Sequence, residues 1–154
     1  MSLLNSPLEA SLRLLVALDV AAPHQHTLDE LLVLDHIAMH SEDFGGPESV
    51  HPALPLRSAD LGARREQIRS GVELLAHHGL ATLSISPTAL VISAGDDSRA
   101  LVATLHSVYL RRYEERATWV REQGFVSTPA HTQASLRQIV ASWSIEDGDL
   151  DGNS

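Results

Sequence analysis

Two histidines one helical turn apart, His36 and His40, are the first residues whose types and spacing could do chemistry. At i and i+4 they could share a zinc ion, with Asp29 or His51 as a third ligand. The glutamate of the H-E-x-x-H metal-hydrolase helix is missing, and nine histidines in 154 residues make a chance pair common. The expectation is a solvated polar face shared by Asp29, Val33, His36 and His40, holding no metal. Asp147, Asp149, Asp151 and Gly152 copy the opening of a calcium loop, but the bidentate glutamate that completes such a loop does not follow, so they read as an acidic tail. The chain contains no cysteine and no lysine, all 11 basic residues being arginine. Disulfides, thiolate chemistry, Schiff bases and a phosphate-loop lysine are thereby excluded. There is no G-x-S-x-G elbow and no glycine-rich loop after a strand. No catalytic residue, metal or cofactor is expected.

Arginine is the remaining candidate, through Arg57, Arg64, Arg65 and Arg69. Recognition helices use such residues on phosphates and guanine edges. Between residues 57 and 78, however, Asp60, Glu66 and Glu73 leave a net charge of only +1. Further on, Arg99, Arg111, Arg112, Arg116 and Arg121 against Glu114 and Glu115 leave +3. Neither is the dense basic face of a dedicated DNA binder. Most of these arginines are expected in ion pairs or at helix ends. Arg57, Arg64 and Arg65 stand apart because they border an apolar stripe, where an unpaired charge is costly. They could clamp Asp43, Glu48 or Asp60 and pin the irregular 41–57 stretch. Trp119 and Trp143 suit either a core or an interface anchor.

These residues need elements to position them. Ser6-Pro7-Leu8-Glu9 reads as a capping box with proline at the first helical position, opening a helix to about Ala22. Its run of Leu and Val leaves little polar face, with Arg13 and Asp19 the only charges after Glu9. Thr27-Leu28-Asp29-Glu30 is a second capping box, for a helix to about His40. The stretch 41–57 follows, with Gly45-Gly46-Pro47 and two further prolines; so long a connection is often functional. A third helix runs from a Ser58 cap to Gly79, with Leu61, Ile68, Val72 and Leu75 inward and Gly71 marking a close approach. Residues 80–94 read as two strands around Ser86-Pro87-Thr88. One long helix is expected from Asp96 or Asp97 to about Gln123, on the stripe Val102, Leu105, Tyr109, Tyr113, Ala117 and Val120, with Arg111 and Glu115 able to pair outside. A last helix starts at Thr128-Pro129 and packs Leu136, Ile139, Val140 and Trp143. The fold class is mainly α with a small β-hairpin, a winged helix-turn-helix-like domain over 1–124. A C-terminal helix over 125–145 and an acidic disordered tail over 146–154 complete the chain.

A hydrophobic fraction of 44% supports a core, which 4% aromatics leaves mostly aliphatic. The net charge of −9 divides into −7 over residues 1–56, +2 over 57–145 and −4 over 146–154. Such a surface does not steer itself onto DNA. No signal-peptide pattern and no membrane-length apolar run is present, so a cytoplasmic protein with no membrane contact is expected.

A family resemblance is carried by Asn5, Pro7-Leu8-Glu9-Ala10, Leu34-Asp35, His40-Ser41 with Asp43, Gly45-Gly46-Pro47, Ser49, and His51-Pro52 with Pro55 and Arg57. It continues through Arg64-Arg65, Gly71 with Leu74-Leu75, Gly79-Leu80, Ser107 with Tyr109, and Arg116-Ala117 before Trp119-Val120. Over about residues 5–122 the chain resembles the middle component (second type) of bacterial ABC-three-component systems. It departs from the pattern in the second strand, where Leu90, Val91 and Ile92 replace an aromatic. The resemblance implies a non-enzymatic adaptor between an SMC- or Rad50-like ABC ATPase and a separate effector in antiviral or anti-plasmid defence. DNA contact would then be indirect or made within the complex, and there is room for a homodimer. The expected partner surface is His51, Arg57, Arg64 and Arg65, with Tyr109, Arg116 and Trp119. A winged-helix DNA-binding transcriptional regulator is the alternative, and a metal-dependent enzyme on His36 and His40 ranks third.

Overall fold

The computed structural model describes residues 7–50 and 61–151, with side chains described through residue 142. Its helices are α1 (Pro7–Ala21), α2 (Leu28–Met39), α3 (Leu61–His77), α4 (Ser98–Thr104), α5 (Val108–Glu122) and α6 (Pro129–Asp151). One antiparallel hairpin, β1 (Ala81–Ile85) and β2 (Leu90–Ala94), lies between α3 and α4, and a 3-10 turn (Ser41–Phe44) follows α2. The chain is thus mainly helical with a two-stranded hairpin. Among the described residues no helix is long and apolar enough to cross a membrane.

Local chemistry accounts for most element boundaries. Thr27 accepts from the Glu30 amide while the Glu30 carboxylate accepts from the Thr27 amide, closing the expected capping box. At the end of α3, Gly79 takes φ 72°, a left-handed value that costs glycine nothing. The Leu80 amide then reaches the Leu75 carbonyl at 2.8 Å and the Gly79 amide the Ala76 carbonyl at 3.1 Å, a Schellman ending. Thr128 caps α6 by accepting from the His131 amide, with Pro129 at the first helical position. The hairpin pairs Ala81 with Ala94 through Ile85 with Leu90, turning at Ser86-Pro87-Thr88. Outside β2, His26 forms an isolated antiparallel bridge to Ile92.

Helix α1 runs through the core, packing most extensively on α3 and α5 and also on α2 and α4. Leu14, Leu15 and Leu18 are fully buried. Gly71 of α3 explains part of this closeness, since a Cβ there would meet the Leu14 Cδ1 at 2.7 Å and the Ser11 Cα at 3.6 Å. Helix α2 is covered on its far side by α5 and α6. That overturns the expected solvated face: Val33 is fully buried and His36 is buried with it. Two further boundaries differ from expectation. The single helix over 97–123 is two helices, because Leu105 turns extended and Ser107 caps a new start by accepting from the Leu110 amide. The tail expected to be disordered from 146 is helical in backbone as far as Asp151. Of the α6 stripe, Leu136 and Ile139 join the common core while Val140 is 40% exposed.

Candidate functional site

The strongest polar constellation lies inside the helical core. Arg13 of α1 donates to both oxygens of Asp35 on α2, Nε to Oδ1 at 2.9 Å and Nη2 to Oδ2 at 3.3 Å. Tyr113 of α5 donates its hydroxyl to the same Oδ1 at 2.8 Å. Arg13 also reaches the Tyr109 hydroxyl at 3.4 Å, and that hydroxyl contacts the Met39 sulfur at 3.6 Å. Arg13 and Asp35 are 3% and 6% exposed and Tyr113 is fully buried, so water cannot replace these partners. Burial opposes the Asp35 charge, but the Arg13 guanidinium, aided by Tyr113, overrides it and holds the carboxyl below its ordinary value. Burial also pushes the Tyr109 phenol up to about 12 and the Tyr113 phenol well above its usual range. Both phenols are therefore neutral donors at pH 7. The cluster staples three helices together. Its sequence signal is one arginine inside an apolar helix and one aspartate inside another, but nothing local says that the two meet.

A second constellation forms where α5 meets the loop after α2. Ser41 donates to the Pro47 carbonyl at 2.7 Å, and the Glu42 carboxylate accepts from the Ser49 amide at 3.0 Å while Ser49 Oγ accepts from the Glu42 amide. Arg116 of α5 donates through Nε to the Glu48 carbonyl at 2.7 Å. The Trp119 ring lies so close beneath Gly46 that any Cβ there would overlap it. Phe125 stacks at a tilt against Trp119, ring centres 5.8 Å apart. The loop is thus held by Arg116 and Trp119 of α5. Arg65, expected as a clamp on it, instead bonds Asp29 of α2 at 2.7 Å on the exposed surface.

Over residues 3–146 the sequence matches the family model of the ABC-three component (ABC-3C) system Middle Component 2. The chain belongs to that family. No curated protein and no solved structure matches it.

The residues expected to form the surface of this middle component fall into separate places. His51 and Arg57 lie outside the described residues. Tyr109 is half-buried with its hydroxyl turned inward to Arg13. Arg116 keeps 17% side-chain exposure beneath the loop, with Glu115 at 3.5 Å. Arg64 faces the Arg13–Asp35 pair from α3, and its Nε and Nη2 are buried without a hydrogen-bond partner among the described residues. Burial lowers its pKa; Asp35 works against that lowering and Arg13 adds to it. Arg69 is occupied by Glu66 and Glu73 on its own helix.

The histidine pair of the middle component sits at the end of α2, under the 3-10 turn. The His36 and His40 rings lie 4.8 Å apart at a tilt, and Phe44 closes edge-on over His36 at 6.0 Å. Burial, then the His40 and Arg64 charges, push His36 down to about 3, so it is neutral at pH 7. Asp29, the expected third ligand, is committed to Arg65. Among the described residues no group of three or more His, Cys, Asp or Glu is placed to hold a metal. A cleft of about 720 Å3 opens between the end of α1, β2 and α5. There Arg121 caps α1 through the Val20 carbonyl at 3.1 Å and Arg99 approaches Asp19 at 3.7 Å. Its arginines are matched by Asp19, Glu114 and Glu122, so it concentrates neither sign of charge.

Proposed function

We propose that this chain is a non-catalytic accessory subunit linking an SMC- or Rad50-like ABC ATPase to an effector in a bacterial defence complex. The family match over residues 3–146 carries the reading, because a middle component is named for a place within a multi-component ABC system. The geometry supports it in two ways. The chain's best-defined buried ionisable cluster, Arg13–Asp35–Tyr113, is spent on holding helices together. The loop over residues 41–50, stiffened from below by Arg116 and Trp119, offers a partner an ordered surface at little entropic cost. Docking is assigned to this loop and the adjoining face of α5.

The winged-helix reading of the domain is supported by the order α1, the His26 bridge, α2, α3 and then the hairpin. A DNA-binding regulator using α3 is the second reading. It is weakened because Arg65 and Arg69 are engaged by Asp29, Glu66 and Glu73. Co-expression of the tagged chain with the products of its neighbouring genes tests the proposal. Recovery of an SMC-like ATPase together with an effector is expected, with loss of at least one upon charge reversal at Glu42 and Glu48. A chain that captures neither, but shifts duplex DNA at physiological salt, belongs to the second reading.

A further inference from the structure

The hairpin carries an edge that no described strand covers, and its sequence has an unusual internal symmetry. Ile92 of β2 donates its amide to the His26 carbonyl and accepts from the His26 amide, both at 2.7 Å. Leu83 of β1 stands directly opposite Ile92. In an antiparallel ladder, opposed residues alternate between bonding each other and pointing both backbone groups away. Because the Ile92 groups point to His26, those of Leu83 point to the other side of the hairpin. The hairpin ends agree with this parity: Ser86 bonds Ala89 at 2.8 Å and Gly95 bonds Leu80 at 3.1 Å, so even-numbered residues of this arm make the inward bonds. The amides and carbonyls of Ala81, Leu83 and Ile85 therefore form the outer edge of β1. Among the described residues no strand pairs with it.

Sheet edges are ordinarily protected by charge, proline or a bulge. The edge of β1 has none of these, and residues 80–95 contain no charged side chain in a chain of net charge −9. The apolar face of the hairpin is buried at its base, where Ala81 is 7% and Ile92 0% exposed. Toward the tip it emerges, with Leu83 at 41%, Leu90 at 38% and Ile85 at 89% exposure.

We propose that β1 is a self-pairing edge, joining two copies of this chain antiparallel about a two-fold axis at Leu83 into one four-stranded sheet. The strand sequence, Ala81-Thr82-Leu83-Ser84-Ile85, is matched to that operation. Rotation about Leu83 sets Leu83 against Leu83 of the second copy, with their outward amides and carbonyls in register. It sets Ala81 against Ile85 and Thr82 against Ser84, so apolar meets apolar on one face and hydroxyl meets hydroxyl on the other. The exposed tip of each hairpin then lies beside the buried base of the other, which covers Ile85. Charge also selects this contact. Two copies repel through most of their acidic surface, whereas the hairpin lets them meet without burying an unpaired carboxylate. An isologous contact of this kind closes at two copies. The inference does not depend on the accessory-subunit reading, and it is tested on the isolated chain.

Sedimentation velocity on the full chain from about 1 to 200 µM reads the association, since strands this short bury an area at the weak end of specific interfaces. A monomer-to-dimer shift is expected within that range. L83K and L83E should each weaken dimerisation by roughly tenfold or more, because like charges then stand face to face. An equal mixture of the two should recover it as a heterodimer. I85K, at a position too exposed to damage the core, should weaken it as well, while T88K at the turn adds the same charge away from the edge and should leave it unchanged. Wild-type protein that stays monomeric throughout overturns the proposal, including the case where the edge takes a strand from another protein. So does a dimer indifferent to L83K and I85K, or a mixture of L83K and L83E that fails to associate.

Discussion

Removing the Asp35 carboxylate tests whether the buried cluster holds the fold together. In Asp35→Ala, Arg13 keeps its charge at 3% exposure but loses its two bonds to the carboxylate, and the Tyr113 hydroxyl loses its acceptor at 2.8 Å. Breaking a buried pair from one side costs about 3–5 kcal/mol, against a total stability of roughly 5–15 kcal/mol for a domain of ordinary size. Urea unfolding followed by circular dichroism should therefore show a large drop in midpoint at nearly constant slope. The double variant R13M/D35L supplies the comparison. Replacing both charges with apolar side chains of similar volume removes the penalty of a buried guanidinium stripped of its carboxylate, so it should be clearly more stable than D35A. The sign of the pH dependence follows from the depressed folded-state pKa of Asp35. Its contribution is full above the unfolded value near 3.8 and is lost as pH falls below that toward the folded value. The acid limb of stability below that point should flatten in D35N. A D35A cost under about 1 kcal/mol, or a double variant no better than D35A, would refute the argument that desolvated charge dominates here.

Three further outcomes follow from the same geometry. His36 binds its proton readily when unfolded, near 6.5, but only at about 3 when folded. Wild-type stability should thus decline as pH falls from 6.5 toward 3, by at most ~1.4 kcal/mol per pH unit from this group, and His36→Gln should remove that decline. Unchanged pH profiles in the two proteins would show that His36 is protonated within the fold. Gly46→Ala must displace the Trp119 ring, with a cost of about 1–3 kcal/mol and a changed tryptophan emission in a W143F background; unaltered emission and midpoint would contradict the close packing. Arg116→Met removes the bond to the Glu48 carbonyl while keeping the aliphatic stem. Amide exchange over residues 42–50 should accelerate about fivefold, a cost near 1 kcal/mol, with little change in the core helices; exchange as slow as wild type would mean that Trp119 alone orders the loop.

The Arg116 clamp illustrates why the site was only partly legible in sequence. The 41–57 stretch stood out for its glycines, prolines and length, and its residues up to 50 are ordered as a built loop. Arginine clamps were expected from the neighbouring helix, because Arg64 and Arg65 are near in sequence and border its apolar stripe. The loop instead bonds Arg116, 68 positions from Glu48. Periodicity reports which face of a helix is apolar, not which other helix will cover it. The same limit explains α2, whose expected outer face is buried at Val33 and His36, where α5 and α6 pack on the helix.

Sequence alone determined what is decided within a few residues. The Thr27–Glu30 box, the Gly79 reversal, the turn at Ser86-Pro87-Thr88 and the Thr128-Pro129 start all rest on groups that satisfy neighbouring backbone, so local chemistry suffices. Tertiary structure alone decided the pairing of Arg13 with Asp35, 22 residues apart, and of Asp35 with Tyr113, 78 apart. A buried charge must find a partner, but whichever helix packs alongside supplies it. Only the folded core brings α1, α2 and α5 near enough for that requirement to select these three residues.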